Sequence, residues 1–154
     1  MDFRITGLSP EPFRHLFGLP DHELKQHRAL RVIAEDRGYP DRIEMCEAEI
    51  GEILLLLNHV CQSAETPYYA THAIYVRENA VAAYDRINEV PSVMRTRLLS
   101  LRAYNATGMI IGAEVVQGTD IEAAIERLFS DQNAAYIHAH NAGRGCYSGR
   151  IDRA

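Results

Sequence analysis

Side chains that could do chemistry lie close together near the C-terminus, in AYIHAHNAGRGCYSGRIDR (residues 135–153). His138 and His140 are one residue apart, and imidazoles act as acids, bases or metal ligands near neutral pH. Arg144 lies between two glycines, which let the backbone approach a ligand closely while the guanidinium binds an anionic group. Cys146 adds a potential nucleophile. The segment therefore predicts a polar pocket.

The first interpretation of this segment is a small-molecule site. Arg144 and Arg150 would each bind an anionic group through paired hydrogen bonds. His138 and His140 would donate hydrogen bonds or transfer protons. Further polar side chains would contact the ligand: Tyr136, Asn141 and Ser148. This interpretation predicts a protein that binds or transforms a small anionic molecule, and it leaves open whether the protein is an enzyme.

Three alternatives remain open. As a thiol nucleophile, Cys146 would be activated by His140, which requires hydrogen-bonding reach and a positive charge nearby. A transition-metal site would take its ligands from one set of side chains: His72, His138, His140 and Cys146. Because only Asp152 could supply a carboxylate there, we predict no metal and no cofactor. The last alternative is a noncatalytic interaction module whose polar face contacts a partner protein or a second copy of the chain.

These hypotheses predict different surfaces around the same residues. A small-molecule site needs a concave pocket that encloses His138, His140 and Arg144. An interaction module leaves these side chains on a flat or convex face, where a partner would bury about 1,000 Å² or more in total. The shape of the surface at this segment therefore separates the two.

The elements that position the segment are two predicted strands, AYIHAH and CYSGRID. In the first, the odd-numbered residues are alanine or isoleucine, and the even-numbered ones are Tyr136, His138 and His140. Alternate side chains of a strand point to opposite faces, so the small apolar face belongs under a helix and the histidines on the more open face. In the second strand the same alternation places Tyr147 on the apolar face.

We expect the two strands to form a hairpin with residues 141–145 as its loop. Only a register in which paired residue numbers have an even sum puts apolar side chains opposite apolar side chains, because a slip of one residue exchanges the faces. The resulting cross-strand pairs are His140 with Cys146, His138 with Ser148, and Tyr136 with Arg150.

Elsewhere the pattern alternates between strands and helices. Strands are predicted at FRITG, ALRVIAE, EILLLLNH and HAIYVRE, with a hairpin of RLLSLRAY and MIIGAEVV around NATG. Helices are predicted at SPEPFRHLF, PDHELKQH and TDIEAAIERLF, the first and last with Ser9 and Thr119 as N-caps. EILLLLNH is expected at the centre of the sheet, covered on both faces. His59 and His72 are in phase with apolar residues and are expected to face the core, whereas Arg97 is expected in solvent.

Together these elements predict one α+β domain over residues 1–154, a mainly antiparallel sheet with helices packed on one face. The 154 residues with 47% hydrophobic content suit one domain. A net charge of −5 disfavours nucleic acid as a partner. The absence of an apolar run of about 18 residues and of a leader pattern predicts no membrane partner and a cytoplasmic location. Three cysteines without metal-ligand spacing are expected to be reduced thiols, and the oligomeric state is left open.

The chain also resembles, over nearly its whole length, a bacterial domain-of-unknown-function family, DUF1203. The resemblance depends on FRITGLSPEPFRHLFGL, GYPDR before GEILLLLN, TPYYATHAIYVRE, LRAYNATGMIIGAEVV and YIHAHNAGRGCYSGRIDRA. It implies no activity, cofactor or substrate. The chain departs from the family at Asp41, where cysteine is favoured, at Cys61, where histidine is favoured, and at Tyr69, where arginine is common. HAHNAGRGC is retained, and any family site at the three changed positions would be altered here.

Overall fold

Nine β-strands form most of the regular structure, which a computed structural model describes over residues 1–154. The strands are β1 (Phe3–Thr6), β2 (Ala29–Ile33), β3 (Ile53–Gln62), β4 (Ala70–Arg77), β5 (Asp85–Ile87), β6 (Leu98–Tyr104), β7 (Ile110–Gln117), β8 (Tyr136–Asn141) and β9 (Tyr147–Arg153). The helices are α1 (Asp21–Gln26), α2 (Ser92–Arg95) and α3 (Ile121–Phe129), with 3-10 helices at Glu11–Leu16 and Gly118–Asp120. No helix has both the length and the apolar character needed to span a bilayer.

The strands form two antiparallel sheets. The larger has six strands in the order β5-β1-β9-β8-β6-β7, and the smaller has three in the order β2-β3-β4. The α+β class with antiparallel sheets is therefore confirmed. The separation into two sheets was not predicted, because residue periodicity identifies a strand but carries no information about which distant strand pairs with it.

Helices cover one face of the six-stranded sheet, as the sequence predicts. The buried stripe of α3, Ile121, Ala124, Ile125 and Phe129, joins a core cluster with Ile137 of β8 and Ile151 of β9. Two predicted caps differ in detail. The N-cap position of α3 is Asp120 rather than Thr119, SPEPFRHLF forms a 3-10 helix with Pro10 at its N-cap position, and neither helix has a side-chain capping hydrogen bond.

The opposite face of the six-stranded sheet is covered by the three-stranded sheet. Tyr147 of β9 packs in the core cluster of the smaller sheet with Leu57 and Ile74. The prediction that the histidine face is the more open one is therefore wrong. β3 is the centre of the smaller sheet only, and Ile53 at its start is 41% exposed. The expectation that this strand is covered on both faces along its length is also wrong.

β8 and β9 form the predicted hairpin, but in a register displaced from the predicted one. His138 pairs with Arg150 and Ala139 with Gly149, so from Tyr136 to Ala139 the even sum is correct and each partner is two residues further along than predicted. A β-bulge then lets His140 pair with Tyr147. The extra residue reverses the alternation and turns Tyr147 from the predicted apolar face to the histidine face, where its ring centroid lies 5.8 Å from that of His140.

Candidate functional site

The hairpin loop and the segment before β3 enclose a cleft of about 790 Å³. Three guanidinium groups line it, from Arg42, Arg97 and Arg144, together with Asn141 and Cys146. Of the predicted site residues, the structure thus brings Asn141, Arg144 and Cys146 to one concave surface. Asp36 is the one carboxylate-bearing residue in the lining.

Arg42 is the buried member of the cleft, with only 3% of its surface exposed. Its Nε donates to the carbonyl of Tyr147 at 2.8 Å and its Nη1 to the carbonyl of Pro40, and it forms no ion pair with a carboxylate. Burial lowers the pKa of Arg42 to about 10, and the positive charge of Arg97 acts in the same direction, whereas Cys146, Asp41 and Glu47 act against it. Because guanidinium groups remain protonated at neutral pH, Arg42 carries a buried and incompletely compensated charge.

The backbone around Arg42 is fixed from two sides. Its N–H donates to the carbonyl of Tyr75 in β4 at 3.1 Å, and its carbonyl accepts from Leu8 at 2.7 Å. Gly7 makes this approach possible, because a Cβ at that position would overlap the carbonyl oxygen of Ile43. The segment after β1 and the edge of β4 therefore hold Arg42 in the cleft.

Arg97, which immediately precedes β6, was expected in solvent and instead has a side chain 22% exposed. Its Nη1 donates to the carbonyl of Val93 at 2.8 Å, and its Nη2 forms an ion pair with Glu47. The second carboxylate oxygen of Glu47 is buried without a hydrogen-bond partner. Glu47 thus neutralises Arg97 in part and lies beside the cleft without lining it.

The hairpin loop supplies the remaining polar groups. The N–H of Asn141 donates to the carbonyl of Cys146 at 2.9 Å, and that of Gly145 to the carbonyl of Asn141 at 2.8 Å. Gly145 has φ 79°, a conformation that glycine adopts without strain. The Oδ1 atom of Asn141 is buried without a partner, and Arg144 is exposed. The loop therefore presents a free guanidinium to the cleft, while the unused acceptor is buried within the protein.

The far wall of the cleft is apolar. Tyr39 and Tyr75 form a tilted aromatic pair with ring centroids 5.2 Å apart, and Leu56 and Ala73 line the cleft from β3 and β4. These side chains lie on the outer face of the three-stranded sheet. The cleft therefore has a cationic end at the hairpin and an apolar end on the smaller sheet.

His138 and His140 do not line this cleft. They are 4% and 1% exposed, and they lie between the two sheets, where the His140 ring centroid is 5.0 Å from that of His72. Burial lowers the pKa of His138 to about 3 and that of His140 to about 4. The predicted pocket that encloses both histidines and Arg144 is therefore wrong, and so is their placement on a flat interaction face. His59 and His72 face the same layer, as predicted.

The two buried imidazoles are only partly hydrogen-bonded. Nδ1 of His140 lies 2.9 Å from the carbonyl of Gly145, so the neutral ring donates there and leaves Nε2 as an acceptor. That Nε2 and Nδ1 of His138 are buried without a partner. Through Gly145, His140 holds the base of the loop that carries Arg144.

Three more predicted ligand contacts lie outside the cleft. Arg150 binds Asp152 through Nε and Nη2, and its guanidinium carbon lies 4.1 Å from the ring centroid of Tyr136. The hydroxyl of Tyr136 accepts from Gln62 at 2.8 Å, and Ser148 is buried. Because Arg150 and Tyr136 are already paired and Ser148 is buried, the structure does not place these side chains against a ligand in the cleft.

The thiol pair predicted from the register does not form. Neither nitrogen of His140 bonds to Cys146, since one contacts Gly145 and the other has no partner. Potential metal ligands come within 4.8 Å of one another in one group of three, Asp41, Glu44 and Cys46. Arg77 forms an ion pair with Glu44 and a hydrogen bond to the sulfur of Cys46, so its guanidinium is already the partner of two of these three groups. The histidines and Cys146 form no such group.

The positions that depart from the family pattern do not meet in one place. Asp41 is fully buried and accepts hydrogen bonds from the N–H groups of Arg77 and Glu44 at 2.8 and 2.5 Å, while burial raises its pKa. Cys61 contacts the carbonyl of Ala70, and Tyr69 is 54% exposed. Asp41 therefore stabilises the Arg42 segment, and the other two lie at the β3–β4 connection.

Comparison with known families agrees with the resemblance seen in the sequence. The model of the family described as "Protein of unknown function (DUF1203)" matches residues 38–153. The chain belongs to this family. Neither the curated proteins nor the solved structures contain a match.

Proposed function

We propose that this DUF1203 protein binds a small anionic molecule in the cleft formed by the hairpin loop and the Arg42 segment. The observation that carries the proposal is Arg42 itself, a 97% buried guanidinium that lines the cleft, bonds only to backbone carbonyls and forms no ion pair. Burying a charge that has carboxylates nearby, Asp41 and Glu47, but no direct ion pair with them is costly, and an anion bound to Arg42 in the cleft would offset that cost.

Two further guanidiniums favour the same ligand. Arg97 and Arg144 line the cleft with Arg42, and the planar donor forks of arginine match the oxygens of carboxylate and phosphate groups.

The buried histidines have a supporting role in this proposal. His140 fixes Gly145 and thereby the loop that carries Arg144. Neither His138 nor His140 reaches the cleft, and no base bonds to Cys146, so the proposal is for binding and assigns no catalytic step.

Isothermal titration calorimetry with inorganic phosphate tests the proposal. Arg144 makes no hydrogen bond within the protein, so Arg144→Ala should leave the fold intact and weaken phosphate binding about tenfold, the usual effect of losing a charged hydrogen bond. Glu47→Gln removes the carboxylate beside Arg97 and should strengthen phosphate binding about threefold, since a nearby negative charge is lost.

The matched control is Arg14→Ala, which removes an exposed arginine far along the chain from the cleft residues. It should bind phosphate like the wild type. Equal affinity in the wild type and Arg144→Ala, or no measurable phosphate binding by any of these proteins, would contradict the proposal.

A further inference from the structure

The cleft extends well beyond the space that an inorganic anion needs. Its volume is about 790 Å³, which lies in the range of sites for organic ligands, about 300–1,000 Å³. The arginines occupy the hairpin end of this volume. The rest of the ligand must therefore match the other end.

The other end offers apolar surface and no cation. Tyr39 and Tyr75 present two phenol rings as a tilted pair, and Leu56 and Ala73 extend the same wall along the smaller sheet. Leu56 is half-buried and Ala73 is exposed, so part of their surface is accessible to water. Covering this wall with an apolar group would release that water and favour binding.

The two ends belong to different elements, and their relative position is fixed. The N–H of Arg42 donates to the carbonyl of Tyr75 and both residues line the cleft, so the backbones that carry the guanidinium and the phenol ring are in direct contact. We expect a ligand that contacts both residues to carry its acidic group and its apolar group close together.

We propose that the ligand is an organic molecule with one acidic head group and an apolar ring or chain attached close to it, such as an aryl phosphate or an aryl carboxylate. This inference rests on the proposed anion site. The head group contacts Arg42, Arg97 and Arg144. The tail lies against Tyr39 and Tyr75 and over Ala73, and the aromatic pair favours a planar tail, because rings pack in offset or edge-on arrangements.

Calorimetric titrations with methyl phosphate and phenyl phosphate test the inference, because the two esters share a head group and differ in the tail. The wild type should bind phenyl phosphate about tenfold more tightly than methyl phosphate, in line with the burial of one ring after association costs. Ala73→Gln replaces a methyl group of the apolar wall by a neutral amide. It should leave methyl phosphate affinity within about twofold and reduce the phenyl preference severalfold.

Thr71→Gln is the matched control, since Thr71 lies two residues earlier on the same face of β4 and outside the cleft lining. It should keep the phenyl preference. Equal binding of the two esters by the wild type would overturn the inference and leave the anion site standing, and so would a phenyl preference unchanged in Ala73→Gln. Failure of both esters to bind would remove the proposed function itself.

Discussion

His138 and His140 illustrate how a residue pair that suggests catalysis can instead be a buried structural element. Both rings lie between the sheets, and burial lowers their pKa values to about 3 and about 4. At neutral pH the imidazoles are uncharged, which is the form that an interior accepts. Protonation of these histidines is therefore expected to affect the stability of the fold.

We predict that the protein loses stability as the pH falls below about 6.5, the ordinary histidine pKa. Between that value and the folded-state pKa values the unfolded chain binds more protons, so protonation favours unfolding. Each of the two histidines should lower the free energy of unfolding by about 1.4 kcal/mol per pH unit in this window, and His59 and His72 act in the same direction. The stability is complete above pH 6.5.

Urea unfolding at pH 7 and pH 5 measures this effect. A His138→Gln variant cannot be protonated at that position and should lose less stability between the two pH values than the wild type. His22→Gln, at an exposed residue, should behave like the wild type. The same free energy of unfolding at both pH values in the wild type would show that the histidines are not held neutral by burial.

At the scale of elements, the site depends on how the chain after β1 meets the Arg42 segment. The backbone of Gly7 packs so closely against the carbonyl of Ile43 that a Cβ atom at Gly7 would overlap it. This close approach lets the N–H of Leu8 donate to the neighbouring carbonyl of Arg42. The cleft is therefore built by loops that are fixed from the sheets on both sides.

Gly7→Ala should move these loops apart. We expect it to lower the free energy of unfolding by about 1–3 kcal/mol, the usual cost of overpacking, and to weaken phosphate binding because Arg42 shifts. Gly143→Ala is the control for stability, since nothing lies within 4 Å of a Cβ added there. Chemical unfolding of both variants checks the prediction. Equal stability of Gly7→Ala and the wild type would mean that the close approach does not constrain the Arg42 segment.

The β8–β9 hairpin shows how far the sequence predicts this fold. Alternation identified both strands, their pairing and the parity of the register, because local side-chain patterns determine these features. It missed the bulge between Ala139 and His140, since an extra residue leaves no mark in the alternation of a short strand. Tyr147 was therefore assigned to the wrong face. The prediction also placed His140 opposite Cys146, and this error supported the thiol hypothesis.

The candidate site was only partly predicted, and the reason is related. Arg144 and Asn141 stood out because they lie in a glycine-containing loop next to a predicted strand. Arg42 lies in a turn-rich segment with no helix or strand, and Arg97, which immediately precedes β6, was expected in solvent. What brings them together is the packing of the smaller sheet against the larger, a long-range arrangement that residue periodicity does not encode.

For the whole molecule, the cleft lies where three parts of the chain meet: the hairpin loop of the larger sheet, the outer face of the smaller sheet, and the segment between β2 and β3 that contains Arg42. A ligand in the cleft would contact all three. Because a ligand that binds only the folded state stabilises it by mass action, anion binding should also strengthen the association of the two sheets.

The most direct test of the account is a titration of the ¹⁵N-labelled protein with inorganic phosphate, followed by the chemical shifts of the backbone amides. We expect concentration-dependent shift changes at residues 38–42 and 141–146, saturating together, with little change at Arg14, the exposed arginine of the first helical segment. In Arg144→Ala the same changes should require about tenfold more phosphate. Shift changes that are absent, that do not saturate, or that spread over exposed arginines such as Arg14 and Arg86 would contradict the assignment of an anion site to this cleft.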